Sequence, residues 1–192
     1  MRTTRFLALS VLVGLVFIVS PADARPRPHG FDTGKKFEAN KTFGLGLELG
    51  EPNGINGKYF LSDDNALDFG LGYIYHHYYA RDNDGLNLYA DYLWHPLVLT
   101  SAEAFELPLY VGVGGHYWDW GDYGCDRNGN NCAYYGTAAL GLRVPVGLSF
   151  DFNNVPLDIF VQLVPTIDFF RHYRDDFGFY IDFSVGIRFW FN

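Results

Sequence analysis

The stretch FGFYIDFSVGIRFWF, residues 177–191, decides the fold prediction. Its residues alternate between two faces along the whole length. One face carries Phe179, Ile181, Phe183, Val185, Ile187, Phe189 and Phe191, and the other carries Tyr180, Asp182, Ser184, Gly186, Arg188 and Trp190. A period of two predicts a β-strand. At roughly 3.3 Å per residue and a tilt near 40°, such a strand spans about 25–30 Å, the thickness of a bilayer core.

The same alternation begins at Thr42, and turn-like clusters interrupt it seven times before the C-terminus. Seven breaks between alternating segments give eight strands. The predicted fold is all-β, an eight-stranded antiparallel up-and-down transmembrane β-barrel. The predicted strands cover 42–50, 55–62, 65–79, 85–99, 106–120, 133–151, 156–170 and 177–191.

The second face of these strands predicts which side points inward. It is rich in glycine, as at Gly70, Gly72 and Gly186, with charged residues between the glycines. Small and charged side chains suit the interior of a narrow barrel. We therefore expect the apolar face to point toward lipid. The alternative is a soluble lipocalin-like carrier, in which the apolar face would point inward.

The N-terminus indicates export. An apolar run over 6–19 follows Arg5 and leads to the sequence A-D-A at residues 22–24. Such an arrangement is typical of a secretory signal peptide. The sequence thus predicts three parts, which are a signal peptide over 1–24 cleaved after Ala24, a flexible periplasmic leader over 25–41, and an outer-membrane β-barrel over 42–192.

The net charge of the chain limits the classes of partner that it can bind. The 192 residues have a formal net charge of −8, which argues against nucleic acid as a partner. The predicted location is the outer membrane of a Gram-negative cell. The predicted partners are outer-membrane lipid and, during biogenesis, the barrel-assembly machinery, while the identity of any extracellular ligand is left open. No cofactor is predicted.

Residues 46–68 read GLELGEPNGINGKYFLSDDNALD. This stretch resembles the opening of a family of small, mostly uncharacterised bacterial outer-membrane barrel proteins, in which a G-E-P-x-G hairpin precedes G-K-Y-aromatic-L-S and then N-A-L-D. The segments 91–95, 107–110, 145–148 and 155–158 also resemble that family. The resemblance implies an eight-stranded barrel with an architecture like that of the small OmpX and OmpA barrels, and the outer membrane. It implies no known reaction.

Charged residues on the inward face predict an ionic network in the lumen. Unpaired burial of such groups costs several kcal/mol, so they are expected to pair. Two interpretations remain, a polar plug that fills the barrel and a narrow proton or ion path. Eight strands leave an interior that side chains fill, which disfavours a general porin. The network residues are Glu48, Lys58, Asp68, Asp91, Arg143, Asp158, Asp182 and Arg188.

Cys125 and Cys132 are the only two cysteines in the chain and flank the longest predicted outer loop. In an exported protein, two cysteines at this spacing predict a disulfide. Between them, Asp126, Asn128 and Asn130 have part of the spacing of a calcium loop, but the glycine and the bidentate glutamate of that motif are missing. No metal site is predicted.

A lipid-modifying enzyme is a further alternative, which would need a serine and a histidine together at the outer rim. Ser62 and Ser101 fall at predicted periplasmic turns, and Ser149 and Ser184 fall within strands. No catalytic residue is therefore predicted, and the protein is not expected to be an enzyme.

Aromatic residues gather at the predicted outer ends of the strands, as YHHYY over 75–79 and YWDWGDY over 117–123. They indicate either an interfacial girdle or a surface that binds a glycan, lipid or host protein. The predicted function is a barrel with a plugged lumen and a structural or surface-binding role through its extracellular loops. A narrow ion or small-solute channel is the alternative that retains the same fold.

Overall fold

The computed structural model describes residues 34–75, 85–125, 132–171 and 177–191. No helix long and apolar enough to cross a membrane occurs in these residues. The predicted signal peptide, residues 1–24, lies outside them. The strands are β1 (Phe43–Gly50), β2 (Asn53–Phe60), β3 (Asn65–Ile74), β4 (Gly85–Ser101), β5 (Phe105–Cys125), β6 (Cys132–Arg143), β7 (Val146–Phe152), β8 (Leu157–Arg171) and β9 (Gly178–Phe191).

These strands form one antiparallel sheet that closes on itself. The first strand, β1, pairs with β2 on one side and with β9 on the other. Strands β6 and β7 both pair with β5 and with β8, so the two share a single position in the ring. The ring therefore has eight strand positions and closes into a barrel, which confirms the predicted fold class.

One predicted strand is interrupted. The segment 133–151 was expected to be continuous, but it consists of β6 and β7 with a break between them. At the break, the N–H of Val144 donates to the carbonyl of Pro165, and the carbonyl of Pro145 accepts from the N–H of Gly112. Because proline has no N–H for the ladder, regular pairing stops at Pro145.

The hairpin formed by β5 and β6 is longer than expected. The fifth strand was predicted to end at residue 120, but pairing continues to Cys125, which lies opposite Cys132. Tyrosine and tryptophan are frequent over 117–123, and aromatic residues favour the pleated surface of a sheet. The strand therefore extends into a region that the sequence pattern alone assigned to a loop.

The apolar face of the strands points outward. In β9, Phe179, Ile181 and Phe183 are each more than half exposed, whereas Asp182 and Ser184, on the alternate positions, are at most 2% exposed. The other strands repeat this arrangement, with leucine, isoleucine and valine outside and polar groups inside. A lipocalin-like carrier requires the reverse orientation, so that alternative is wrong.

Glycines on one strand make room for large side chains on the next. A Cβ built on Gly70 would overlap the ring of Tyr89, its direct cross-strand partner. Because the lumen is narrow, a ring can enter it only over a residue without a side chain. The cross-strand pairs built in this way are Gly70 with Tyr89, Gly147 with Tyr110, and Gly186 with Phe160.

The two ends of the barrel differ in their connections. One end, here named the base end, carries the turns 61–64, 102–104 and 153–156. The opposite end, here named the loop end, carries the connections 51–52, 75–84, 126–131 and 172–177. Apart from the first hairpin turn, the connections at the loop end are the longer ones.

Residues 34–41 pack against the base end. The N–H of Gly34 donates to the carbonyl of Val98, and the N–H of Val98 donates to the carbonyl of Lys35. Phe37 is only 1% exposed and Lys41 is also buried. The flexible leader expected over 25–41 therefore does not extend to residue 41, because this part is held by backbone hydrogen bonds and by burial. Residues 25–33 lie outside the described residues.

Candidate functional site in the barrel lumen

The lumen is lined by charged side chains. All eight residues of the predicted network point into it and are at most 2% exposed. The structure adds buried charged or ionisable residues that the prediction did not include. All of them except Lys41 lie within strands, on the same faces as the predicted residues, so strand parity was the signal that could have found those five. The added residues are Lys41, His95, Glu106, His116, Asp151 and Asp168.

Arg188 is the centre of one cluster. Its Nε donates to Oδ1 of Asp158 at 3.0 Å and its Nη2 donates to Oδ2 of the same carboxylate at 3.0 Å. Its Nη1 donates to Oδ1 of Asp68 at 2.8 Å and to Oδ1 of Asn56 at 3.1 Å. The guanidinium also lies 4.2 Å from the ring centroid of Phe160. One arginine thus connects β9 to β8, β2 and β3.

Glu48 is the centre of a second cluster, in which every described hydrogen-bond donor is uncharged. Tyr89 donates to Oε2 at 2.5 Å. Ser184 and Gln162 donate to Oε1 at 2.5 Å and 3.0 Å. A buried carboxylate that accepts several hydrogen bonds has much of its desolvation cost offset. The cluster joins β1 to β4, β8 and β9.

Arg143 lies against Asp91 and Tyr89. Its Nε is 3.3 Å from Oδ2 of Asp91, and its guanidinium carbon is 3.8 Å from the ring centroid of Tyr89. Within the described residues, neither Arg143 Nε nor the Asp91 carboxylate makes a hydrogen bond. The attraction between them is therefore Coulombic, without the aligned geometry that Arg188 has with Asp158.

Lys58 and His95 meet near the base end. Lys58 Nζ is 2.7 Å from His95 Nε2, and His95 Nδ1 is 3.1 Å from the carbonyl oxygen of Asp64. A carbonyl only accepts, so Nδ1 carries the proton and Nε2 accepts from the ammonium group. Lys58 Nζ also lies 4.9 Å from the ring centroid of Tyr110. The lysine is held by a neutral acceptor and an aromatic face.

His116 lies near the loop end, and its ring proton is on Nε2, whereas that of His95 is on Nδ1. Its Nε2 is 2.8 Å from Oδ1 of Asp168, and its Nδ1 is 3.0 Å from Nδ2 of Asn87. The amide nitrogen of Asn87 only donates, so Nδ1 is the acceptor and the proton toward Asp168 is on Nε2. A Cβ built on Gly141 would lie 2.5 Å from His116 Nε2, so this pair also depends on a glycine.

A small cavity lies inside the base end. Its volume is about 10 Å³, which is room for about one water molecule. Charged, hydroxyl and aromatic side chains surround it, so it is polar on one side and apolar on the other. The lining residues are Phe37, Lys58, Phe60, His95, Pro108, Ser149, Asp151, Asp158 and Trp190.

The four serines of the described residues each donate to a carboxylate. Ser149 donates to Oδ2 of Asp158 at 2.9 Å, and Ser184 donates to Glu48 as described above. At the base end, Ser62 donates to Asp64 and Ser101 donates to Glu106, both at 3.2 Å. These hydroxyl groups therefore serve the polar network and the turns.

The backbone brings the two cysteines together. Cys125 and Cys132 are opposite each other in the register of β5 and β6. Opposite Cα atoms of antiparallel strands are roughly 4.5–5.5 Å apart. Disulfides occur at Cα separations of roughly 4.4–6.8 Å, so the backbone position fits the predicted disulfide, which remains a prediction. The calcium-like segment 126–131 lies outside the described residues.

An antiparallel barrel of eight strand positions, with an apolar outer face and an interior lined by charged side chains, is the class of protein that this fold and lumen define. The chain belongs to a family described as proteins of unknown function (DUF3996), whose profile matches residues 34–192. The matched region includes the packed segment 34–41 as well as the barrel.

Comparison with curated proteins gives no match. Among solved structures, the chain is similar to the N-terminal β-barrel domain of OprF from Pseudomonas aeruginosa. The two are 16% identical, the match covers 78% of this chain and 95% of that chain, and the TM-score is 0.49.

Proposed function

We propose that the protein is an integral outer-membrane β-barrel with a plugged lumen, and that it has a structural or surface-binding role through its loop end. The observation that carries this proposal is the outward apolar face. Monomeric soluble proteins rarely expose contiguous apolar patches larger than a few hundred Å². Here every strand turns large apolar side chains outward, including Leu47, Leu88, Leu142, Leu163 and Ile187.

The closed ring supports the same proposal. In a bilayer core each backbone N–H and C=O needs a partner within the protein, and a closed barrel meets this requirement because it has no edge strand. The closing pair of β1 and β9 runs in register from Phe43 opposite Phe191 to Gly50 opposite Ser184. A lipid environment therefore leaves no ladder group of this seam unpaired.

Exposed aromatic residues are found toward both ends of the outer surface. Tyr73, Phe169 and Phe179 lie near the loop end, and Tyr59 and Phe189 lie near the base end. Membrane barrels carry such aromatic girdles at both interfaces, with short turns on the periplasmic side and longer loops outside. By this rule the base end is periplasmic and the loop end is extracellular.

The polar clusters support a plugged lumen. The Arg188 and Glu48 clusters each bridge strands that are not neighbours in the ring, so their side chains cross the interior. We include in the proposal that the protein is not an enzyme, which is supported by the hydrogen bonding of each serine within residues 34–191 that the structure describes to a carboxylate. Surrounding lipid and the barrel-assembly machinery are the proposed partners.

Cell fractionation combined with a heat-shift gel tests the proposal. The protein is expected in the outer-membrane fraction, and the unboiled sample is expected to migrate faster than the boiled sample, because a closed barrel stays folded in SDS until it is heated. Recovery of the protein in the soluble periplasmic fraction, without a shift on boiling, would show that the proposal is wrong.

A further inference from the structure

Residues 34–41 cross the mouth of the barrel at the base end. This segment, here named the strap, leads directly into β1, and β1 stands opposite β5 in the ring of eight positions. The other end of the strap lies far from β1, since the N–H of Gly34 donates to the carbonyl of Val98 on β4, the neighbour of β5. The strap therefore connects the first strand of the barrel to the opposite wall.

Two lysines fix the strap to that wall. Lys35 Nζ is 2.5 Å from Oε1 of Glu106 on β5, and Lys41 forms a buried ion pair with Asp151 on β7. Glu106 and Asp151 are direct partners in the pairing of β5 with β7, so both lysines reach the same part of the wall. Lys41 also donates to the carbonyl of Phe152. Moving β1 away from this wall would break a buried ion pair, which is costly.

An aromatic side chain holds the middle of the strap. Phe37 is only 1% exposed, and its ring centroid is 5.1 Å from that of His95 and 5.7 Å from that of Phe60. Phe60 on β2 stacks in turn on Trp190 of β9 at 5.5 Å. The ring of Phe37 thus packs against a contact between the two strands that flank β1. Its burial removes apolar surface from water and favours the docked position of the strap.

The strap lies beside the seam at which the ring closes. The seam is the pairing of β1 with β9, which joins the two ends of the described sheet, whereas the other paired strands are closer in sequence. Closing a longer loop has a larger entropic cost, so the seam is the least favoured pairing to form. Lys41, just before β1, lies with Nζ 5.9 Å from the ring centroid of Trp190 on β9 and reaches β7 beyond it. The strap therefore links the two sides of the seam.

We propose that the strap holds the β1–β9 seam closed, and that its release from β5 and β7 precedes opening of the seam. Opening would leave the facing edges of β1 and β9 without ladder partners, a state that a closed barrel avoids. This role is independent of any ligand of the loop end. It makes closure of the ring depend on three side chains that lie outside every strand, those of Lys35, Phe37 and Lys41.

Hydrogen exchange of the full chain, measured by NMR in detergent micelles, tests the proposal, because a ladder amide exchanges when its pairing opens locally. The variant Lys41→Gln removes the ion pair with Asp151 and is expected to raise exchange of the seam amides over 43–47 and 187–191 several-fold. The amides over 114–117 and 140–143, which pair β5 with β6, are expected to change little. Phe37→Ala is expected to give the same pattern.

The matched control is Ile74→Ala, which removes apolar volume from a buried side chain at the loop end, away from the strap. It destabilises the barrel in general, so seam amides should not respond more than those of the β5–β6 ladder. If Lys41→Gln and Phe37→Ala raise exchange equally in the two ladders, or leave the seam unchanged, the proposal is wrong.

A locked variant provides a test even if the released variants do not fold. Lys35 and Val98 form a cross-strand bridge, and opposite residues of antiparallel strands are close enough for a disulfide. In the double variant Lys35→Cys, Val98→Cys, with the new bond verified by mass, oxidation is expected to slow seam exchange several-fold relative to the reduced form. Wild-type protein with and without reductant controls for Cys125 and Cys132. Equal seam exchange in the oxidised and reduced double variant would overturn the proposal.

Discussion

Tyr89 donates a 2.5 Å hydrogen bond to Glu48 across the barrel lumen, although β4 and β1 are separated in the ring by β2 and β3. The same hydroxyl accepts a hydrogen bond of 2.6 Å from Nδ2 of Asn56. The contact therefore fixes the relative position of strands that share no backbone ladder. It also shows how a barrel that is apolar outside is stabilised from within by polar groups.

Replacing Tyr89 by phenylalanine is expected to destabilise the barrel by about 1.5–3 kcal/mol, because a buried carboxylate loses a donor. The measurement is the free energy of unfolding in urea, with the protein in lipid vesicles. The control is Tyr59→Phe, which removes the same hydroxyl from an outward-facing tyrosine. Equal loss in the two variants would contradict the structural role of the hydrogen bond.

Replacing Arg188 is expected to destabilise the barrel more than replacing Tyr89. The variant Arg188→Met leaves Asp158 and Asp68 without their cation and is expected to cost about 3–5 kcal/mol. Adding Asp158→Asn to that variant removes one of the two unpaired charges, so part of the loss should be recovered. A double-mutant cycle measured by urea unfolding checks this. Strict additivity of the two changes would argue against the ion pair.

Gly46 is expected to be essential for closing the ring. A Cβ at this position would overlap the carbonyl oxygen of Ile187 on β9, and backbone atoms cannot move aside without opening the seam. Gly46→Ala is expected to cost about 1–3 kcal/mol and to reduce the fraction of protein that shows a heat shift. At Gly115 the nearest atom to a Cβ is 3.4 Å away, so Gly115→Ala serves as the control.

An arginine introduced on the outward face is expected to cost more stability in the middle of the barrel wall than at its edge. Val185 lies midway along β9 and Phe177 lies just before its loop-end terminus, and both face outward. In a bilayer, Val185→Arg is expected to cost about 2–4 kcal/mol, and Phe177→Arg about 0–1 kcal/mol. Unfolding in vesicles measures both. Similar small effects at the two positions would indicate that the apolar face does not contact lipid.

The predicted disulfide is tested by thiol labelling. Unreduced protein purified from the periplasm or the outer membrane is expected to resist a maleimide reagent of high mass, and reduction is expected to expose two reactive thiols, one from Cys125 and one from Cys132. The variant Cys125→Ser leaves one cysteine without a partner and should label without reduction. Labelling of the unreduced wild-type protein at both cysteines would show that they are not paired.

The alternation of apolar and polar residues along each strand explains why many lumen-facing residues could be predicted from the sequence. In a strand, the parity of a position decides which face it occupies, and for this reason all eight network residues could be named from the sequence. The same parity applies to Asp168 and His116, which stand on the same faces although the prediction did not include them. It gave no information on depth along the barrel, because tilt and register set the height at which two side chains meet.

Sequence by itself determined the all-β class, the approximate positions of most strands and the polar face, since each depends on a local period of two and on turn residues. Only the tertiary structure decided which charges meet. Arg188 pairs with Asp68, which is 120 residues away along the chain, and Glu48 accepts a hydrogen bond from Ser184, which is 136 residues away. It also decided that Phe37 lies across the base end, because a short polar segment has no periodicity that would predict where it packs. Ring closure brings remote positions together, and no local pattern encodes that closure.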